Sequence, residues 1–183
     1  QKSIDFINDQ GGTVILVGAR RNKIYRSLKS VIDTTRFPLN KYERECLGIY
    51  IWSKSKFFIG SLSGGSFPPT TFGVKTLWLD VHPTEVVRPP NLNDICLPKR
   101  IFFKPENRYL SFDEANSKNH YLSQSENPQI VTDNGYRIDS VTFDLIKEIL
   151  NQFIYGGEKI SSLYEEQNHP TIPIGAKIFT KHL

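Results

Sequence analysis

Short apolar runs that alternate with helical stretches constrain the fold of this chain more than any other feature. The first run, residues 13–18, is almost continuously apolar and follows Gly11 and Gly12. Such a run predicts a strand buried on both faces, which is typical of a parallel sheet. Residues 30–33, 57–60 and 75–80 predict three further strands.

A helix is predicted between the second and third of these strands. Asn40 can cap its amino end, and Glu43 follows three residues later, as in a capping box. Apolar and aromatic side chains then recur on one helical face, namely Tyr42, Cys46, Ile49 and Tyr50. After the third strand, Pro68 and Pro69 suit the first turn of a short helix that ends at Gly73.

This alternation of strands and helices predicts an α/β fold with a mainly parallel sheet and right-handed βαβ crossovers. Farther along, residues 81–99 contain four prolines and predict an irregular loop. Residues 101–103 predict another strand, and residues 110–116 predict a short helix. A polar loop is predicted over 119–134, and a closing helix with an apolar stripe over 140–155.

Length and composition fit one globular domain that spans residues 1–183. The chain contains no methionine, so we expect it to be a piece of a longer protein. Its net charge of +4 and its pI of about 9.0 suit nucleic acid, membrane surfaces or phosphorylated ligands. The positive charges are spread out and no nucleic-acid-binding signature is present, which argues against nucleic acid.

Two cysteines, Cys46 and Cys96, are the only thiols. Neither lies in a C-x-x-C pair or beside spaced histidines, so we predict no metal site and no cofactor. A disulfide between them stays open, although a reducing compartment is the simpler interpretation. No apolar run approaches the length of a membrane span and no signal peptide is recognisable, which predicts a cytoplasmic chain without a membrane span.

The stretch from residue 57 to residue 69 carries the strongest chemical signal. A buried strand leads into a loop of small residues, and the loop opens a helix. Small residues let a ligand approach the backbone, and the first N–H groups of a helix have no partner within it. Together with the helix dipole they predict an anion site, usually for phosphate. The residues of this predicted site are Ser61, Ser63, Gly64, Gly65 and Ser66.

The alternative is that these serines and glycines only make the turn and cap the helix. The pattern is neither a Walker A loop nor a G-x-G-x-x-G dinucleotide fingerprint. Ligands of open α/β sheets bind beyond the carboxyl ends of the strands, which draws attention to the residues that follow each strand. Gly18, Arg20 and Lys23 end or follow the first strand. Either basic residue could neutralise a diphosphate, or both are solvated surface charges.

Three more candidates follow other strands. Asp33 ends the second strand and either accepts hydrogen bonds from ribose hydroxyls or caps the next turn. His82 and Glu85 follow the strand at 75–80. His82 could contact a sugar or take part in proton transfer, and the alternative is a purely structural role. Glu85 is a candidate for a nucleoside or sugar contact.

Three segments of the chain resemble a family of bacterial glycosyltransferases linked to surface-polysaccharide synthesis. Residues 57–64 read FFIGSLSG, residues 72–77 read FGVKTL and residues 108–114 read RYLSFDE. The family's patterns are roughly F-x-I-G-[ST]-x-S-G-x-S, F-G-V-P-T-L and R-Y-L-[ST]-F-x-E, in the same order. The resemblance runs from about Gly12 to the end of the chain.

The resemblance implies the C-terminal, donor-binding half of a GT-B fold, a Rossmann-like three-layer domain. The implied reaction is a metal-independent transfer of sugar from a nucleotide diphosphate to a glycan. The serine and glycine loop would hold the donor phosphates, while Arg20 and Lys23 would offset the charge of the leaving group. A missing N-terminal domain would bind the glycan acceptor and supply the base. Such an enzyme works in the cytoplasm or peripherally at the inner membrane.

The sequence also departs from the family. Leu16 stands where the family often has arginine, and Lys75 stands where proline is usual. Residues 67–69 occupy a stretch where related enzymes place a glutamate against the ribose, so ribose recognition must come from elsewhere. Three rival functions therefore stay open: a nucleotide-sugar epimerase-like enzyme, a non-catalytic module that binds a glycan or a partner, and a phosphosugar-binding regulatory domain.

Overall fold

A computed structural model describes residues 1–18, 30–61, 67–81, 94–111, 114–115, 133–156 and 177–178 of the chain. The helices in these residues are α1 (Lys2–Asp9), α2 (Lys41–Lys54), α3 (Phe67–Thr71) and α4 (Phe143–Tyr155). The first strands are β1 (Val14–Leu16), β2 (Val31–Asp33), β3 (Phe57–Gly60), β4 (Lys75–Val81) and β5 (Ile95–Pro98). They are followed by β6 (Arg100–Phe103), β7 (Arg108–Tyr109), β8 (Tyr136–Asp139) and β9 (Lys177–Ile178).

The strands form three sheets. β1 and β2 pair in parallel, and β3, β4, β5 and β9 form a four-stranded sheet, in that order, whose neighbours are all parallel. The third sheet has the order β7-β6-β8 and is antiparallel. The predicted α/β class with parallel strands is confirmed. The parallel strands are divided between two sheets, however, and the antiparallel sheet was not predicted.

The main core lies between the four-stranded sheet and the closing helix. From the sheet it takes Leu77, Ile95 and Leu97, and from α4 it takes Ile149, Leu150 and Phe153. The apolar residues of α4 recur with the period of a helix, so one face is buried along its length. The prediction of a closing helix is confirmed, with Thr142 as the residue before its first turn.

Two predicted surfaces differ in burial from expectation. β1 is not buried on both faces, because Leu16 is buried while Ile15 is 37% exposed. The capping box of Asn40 and Glu43 is present at the start of α2. The stripe predicted on this helix lies in solvent, since Tyr42 is 74% exposed, and α2 instead buries Gly48 and Ile51.

The predicted irregular loop over residues 81–99 is wrong at its carboxyl end. β5 occupies Ile95–Pro98, and all of its residues are buried. Pro98 is tolerated here because it pairs with Val81 just beyond the register shift between β4 and β5, where the regular ladder is already interrupted. The backbone continues the contact, since Lys99 donates an N–H to the carbonyl of Val81 at 2.7 Å. Residues 82–93 lie outside the described residues.

A second, smaller core lies against the antiparallel sheet and contains Ile101, Leu110 and Ala115. The predicted strand at 101–103 is confirmed as part of β6. The predicted helix at 110–116 is confirmed only in part, because Glu114 and Ala115 are helical whereas Leu110 and Ser111 are not. Its start is a capping box, in which Ser111 Oγ accepts from the N–H of Glu114 and Glu114 Oε2 accepts from the N–H of Ser111. The predicted polar loop at 119–134 lies almost entirely outside the described residues.

Candidate functional site

The candidate site lies at the carboxyl edge of the four-stranded sheet, where ligands of parallel sheets usually bind. β3 ends at Gly60, which is in register with Trp78 of β4, and α3 begins at Phe67. The strand and the helix predicted on either side of residues 61–66 are therefore confirmed. Ser61 is exposed at the start of the loop. Ser63, Gly64, Gly65 and Ser66 lie outside the described residues.

The helix that follows the loop is short and firmly attached to β4. α3 has 5 residues, and the Phe67 ring meets the Trp78 ring edge-on with centroids 5.4 Å apart. Gly73 ends it with a φ of +72°, and Val74 donates its N–H to the carbonyl of Pro69 at 3.0 Å. A helix of one turn has a small dipole, so the dipole predicted for this site contributes less than expected.

Asp80, near the carboxyl end of β4, was missed as a site residue by sequence reasoning. Its φ is +54°, a left-handed conformation that is uncommon for residues other than glycine. The register between β4 and β5 shifts between Leu79 and Val81, so Asp80 lies in a bulge. Its Oδ1 accepts the N–H of Val141 at 2.9 Å, just before α4 begins. The available signal was an aspartate, a residue that tolerates this conformation, at the end of an apolar strand.

Asp33 caps the turn that follows β2, as one of its two predicted roles required. Oδ1 accepts the N–H and the hydroxyl of Thr35 at 3.1 and 2.5 Å, and Oδ2 accepts Nε of Arg36 at 2.9 Å. The hydrogen bond from the Thr35 hydroxyl, and then the bonds from Arg36 and the Thr35 backbone, lower the pKa of this carboxyl below its ordinary value. Both oxygens are therefore engaged within the turn. A ribose contact stays a prediction.

The end of β1 is set by backbone geometry. Gly18 has a φ of +102°, and a Cβ at this position would meet no atom within 4 Å. Glycine is thus favoured here by conformation rather than by crowding. Thr34 Oγ1 donates to the carbonyl of Leu16 at 2.7 Å and joins the carboxyl ends of β1 and β2. The remaining predicted site residues, Arg20, Lys23, His82 and Glu85, lie outside the described residues.

One buried carboxyl group lies at the opposite edge of the sheet. Asp94 precedes β5, is fully buried and accepts the N–H of Thr76 through Oδ1 at 3.0 Å. Because Thr76 is near the amino end of β4, this aspartate stabilises the edge remote from the candidate site.

The two cysteines are free thiols, and burial raises the pKa of Cys96 to about 12. Such a thiol is unreactive at neutral pH.

The RYLSFDE segment, residues 108–114, is stabilised by contacts within itself and with a near neighbour. Arg108 donates to both carboxylate oxygens of Glu114 at 2.8 Å and to Glu106 Oε2 at 2.7 Å. These contacts raise the pKa of Arg108, and the Arg108 hydrogen bond lowers the pKa of Glu114 to about 2. In this structure the charged ends of the motif therefore bind each other and start a helix.

Within the described residues, no group of three or more histidine, cysteine, aspartate or glutamate side chains could hold a metal ion. The helices of the same residues include none with the length and hydropathy of a membrane span. Comparison of the chain with known protein families, with curated proteins and with solved structures found no match.

Proposed function

We propose that this chain is the donor-binding domain of a GT-B-type glycosyltransferase, which transfers a sugar from a nucleotide diphosphate to a glycan. One observation carries the proposal: residues 61–66, rich in serine and glycine, leave the carboxyl end of a parallel strand and enter a helix directly. This is the position at which open α/β sheets hold the phosphates of their ligands. Residues 57–64 resemble a motif of bacterial glycosyltransferases. This resemblance is the reason for proposing a nucleotide sugar as the ligand.

The proposed chemistry is positioning and charge stabilisation. Ser61, Ser63 and Ser66 would donate hydroxyl hydrogen bonds to the diphosphate, and Gly64 and Gly65 would let it approach the backbone N–H groups. Arg20 and Lys23, which follow β1 of the two-stranded sheet in sequence, would offset the charge of the departing nucleotide. His82, Asp33 and Glu85 are weaker candidates for sugar or nucleoside contacts. The acceptor and the base would come from a second domain.

The proposal is tested by calorimetric titration of the chain with UDP, GDP, CMP and ADP. One nucleotide should bind, and Ser63→Ala/Ser66→Ala should weaken that binding by about a hundredfold or more, since two hydrogen bonds to a charged group are lost and each contributes about 1.5 kcal/mol. Ser53→Ala/Ser55→Ala is the matched control. These two hydroxyls bond to carbonyls near the carboxyl end of α2, and Ser55 precedes the amino end of β3.

The outcomes separate the proposal from its rivals. Binding that survives the Ser63→Ala/Ser66→Ala change, or that falls equally in the control, would place the nucleotide elsewhere. A nucleotide sugar that is converted with no acceptor present would favour an epimerase-like enzyme. No nucleotide binding by the folded chain, together with binding of an oligosaccharide, would favour a glycan-binding module.

A further inference from the structure

One face of the antiparallel sheet concentrates charge and aromatic rings. Residues opposite each other in an antiparallel pair share a face, and the register pairs Arg100 with Asp139 and Phe102 with both Arg137 and Tyr109. This arginine–aromatic face therefore consists of Arg100, Phe102, Tyr109, Arg137 and Asp139. The other face of the same sheet carries the apolar residues of the smaller core. The two faces thus have different roles.

Asp139 is the acceptor at the centre of the arginine–aromatic face, and it is fully engaged. Arg137 donates to it from Nε at 2.9 Å and from Nη2 at 2.8 Å, and Tyr109 Oη donates at 2.7 Å. The hydrogen bonds from Arg137, followed by that from Tyr109, hold the pKa of Asp139 below its ordinary value. The carboxylate is therefore ionised and already neutralised by Arg137.

Arg100 makes no such hydrogen bond, although its charge also helps to lower the pKa of Asp139. It lies across from Asp139 in the register, yet its guanidinium stacks on the Tyr109 ring, 4.4 Å from the centroid. Its Nε is buried without a hydrogen-bond acceptor among the described residues, and no ion pair of Arg100 is found among them. The charge of this guanidinium is therefore not matched by a hydrogen-bonded acceptor among the described residues.

The stacking also fixes the orientation of both guanidinium groups. Arg137 lies over the Phe102 ring at 4.4 Å, and the Phe102 and Tyr109 rings meet edge-on at 5.1 Å. The ladder thus runs Arg100, Tyr109, Phe102 and Arg137, with two positive charges against one negative charge. A held guanidinium plane loses little freedom when its donors bind a ligand. Carboxylate and phosphate groups are the acceptors that match its forked donors.

We propose that Arg100 forms a binding site for an oxyanion, the carboxylate or phosphate group of a ligand or partner. The site shares no residue with those predicted for the donor phosphates and does not depend on the donor-binding function proposed above. Asp139 does not compete with the oxyanion, because its oxygens are held by Arg137 and Tyr109. The oxyanion would accept from the terminal nitrogens of Arg100, since Nε itself is buried.

The test follows the arginine Nε–Hε signals of the 15N-labelled chain by NMR during titration with sodium phosphate or sodium acetate at constant ionic strength. Arg100→Lys identifies the signal of Arg100 by its disappearance. We expect that signal to shift and saturate with at least one anion, while the Arg108 signal changes little, since Arg108 is already paired with two glutamates. The anion that saturates the shift at the lower concentration, phosphate or acetate, shows whether the site prefers a phosphate or a carboxylate group.

In the variants of Arg100, the affinity of the chain for the anion is measured from the shifts of the backbone amide signals of β7 and β8. Arg100→Gln should weaken binding at least tenfold, and Arg100→Lys, which keeps the charge but loses the fork, should weaken it less. Lys104→Gln removes one positive charge from an exposed residue just after β6 and should change the affinity less than twofold. Equal losses in Arg100→Gln and Lys104→Gln would overturn the proposal, as would shifts that rise linearly without saturation for all arginines.

Discussion

Residues of β4 and β5 pack apolar side chains from both faces, whereas the antiparallel sheet carries charge on one of its two faces. Leu77 and Trp78 of β4 are fully buried, and Leu97 of β5 is 1% exposed. On β8, by contrast, Arg137 and Asp139 form an ion pair with side chains that are 52% and 25% exposed. Burial of apolar area is not screened by simple salts such as NaCl and does not titrate, while partly exposed ion pairs are screened by salt and depend on pH.

The two sheets therefore differ in where polar side chains can meet a ligand. The apolar sheet gives a rigid frame, and the function that we propose for it lies beyond the strand ends, at residues 61–66. The antiparallel sheet presents side chains directly from its strands, so its chemistry lies on the sheet surface itself. Changes to the two sheets should therefore differ in size and in their dependence on solution conditions.

The largest expected effect comes from the core of the parallel sheet. Leu97→Ala should lower the free energy of unfolding by about 2–5 kcal/mol, because the removed side chain leaves a cavity in a packed interior. Urea denaturation at low and high salt, followed by tryptophan fluorescence, measures the change, which should be the same at both. Ile49→Ala is the control, since Ile49 is 51% exposed on α2 and should cost less than about 0.5 kcal/mol. If the loss of stability in Leu97→Ala depended on salt, the proposed difference between the two sheets would be wrong.

A smaller effect is expected at Asp80, where the apolar sheet does contain a polar contact. Asp80→Ala should cost about 1–3 kcal/mol, because alanine disfavours the left-handed backbone and leaves the Val141 N–H without its acceptor. Asp80→Asn should cost clearly less, since asparagine tolerates this conformation and keeps an acceptor oxygen. Thermal unfolding of both variants measures the difference. Equal losses would mean that the carboxylate charge matters more than the backbone.

Sequence patterns predicted the parallel region well because its signals are local. The capping box of Asn40, the turn at Gly73 and the apolar period of α4 each depend on residues a few positions apart. β5 was missed because Pro98 and the prolines before it favour a loop, and burial between β4 and β9 overrides that preference. The polar role of Asp80 depends on Val141, far along the chain.

The antiparallel sheet could not be predicted in the same way. β6 pairs with β8, and the register that brings Arg100 opposite Asp139 joins residues far apart in sequence. The RYLSFDE motif was recognised only as a family resemblance, and its contacts within the segment give it a local physical reason. The candidate loop was located from composition, although the contacts of residues 62–66 are not among those described.

The smallest expected effect tests the ionic side of the comparison at Glu114. The pKa of Glu114 is lowered to about 2 in the folded chain, first by its hydrogen bond with Arg108. A carboxyl group with a lowered pKa stabilises the fold above its ordinary pKa of about 4.3, and this contribution is lost as the pH falls through about 2. Glu114→Gln should therefore lower Tm by about 2 °C at pH 6 and by less at pH 2.5.

Glutamine makes this comparison specific to charge, because its side-chain oxygen can still accept the N–H of Ser111 in the capping box. Glu114→Ala removes the cap as well and should lower Tm further at both pH values. Glu45→Gln is the control, since its contact with Lys41 is long, at 3.9 Å, and should add little. If Glu114→Gln were equally destabilising at both pH values, the Arg108 contact would act through packing, and the antiparallel region would resemble the apolar sheet more closely than its charges indicate.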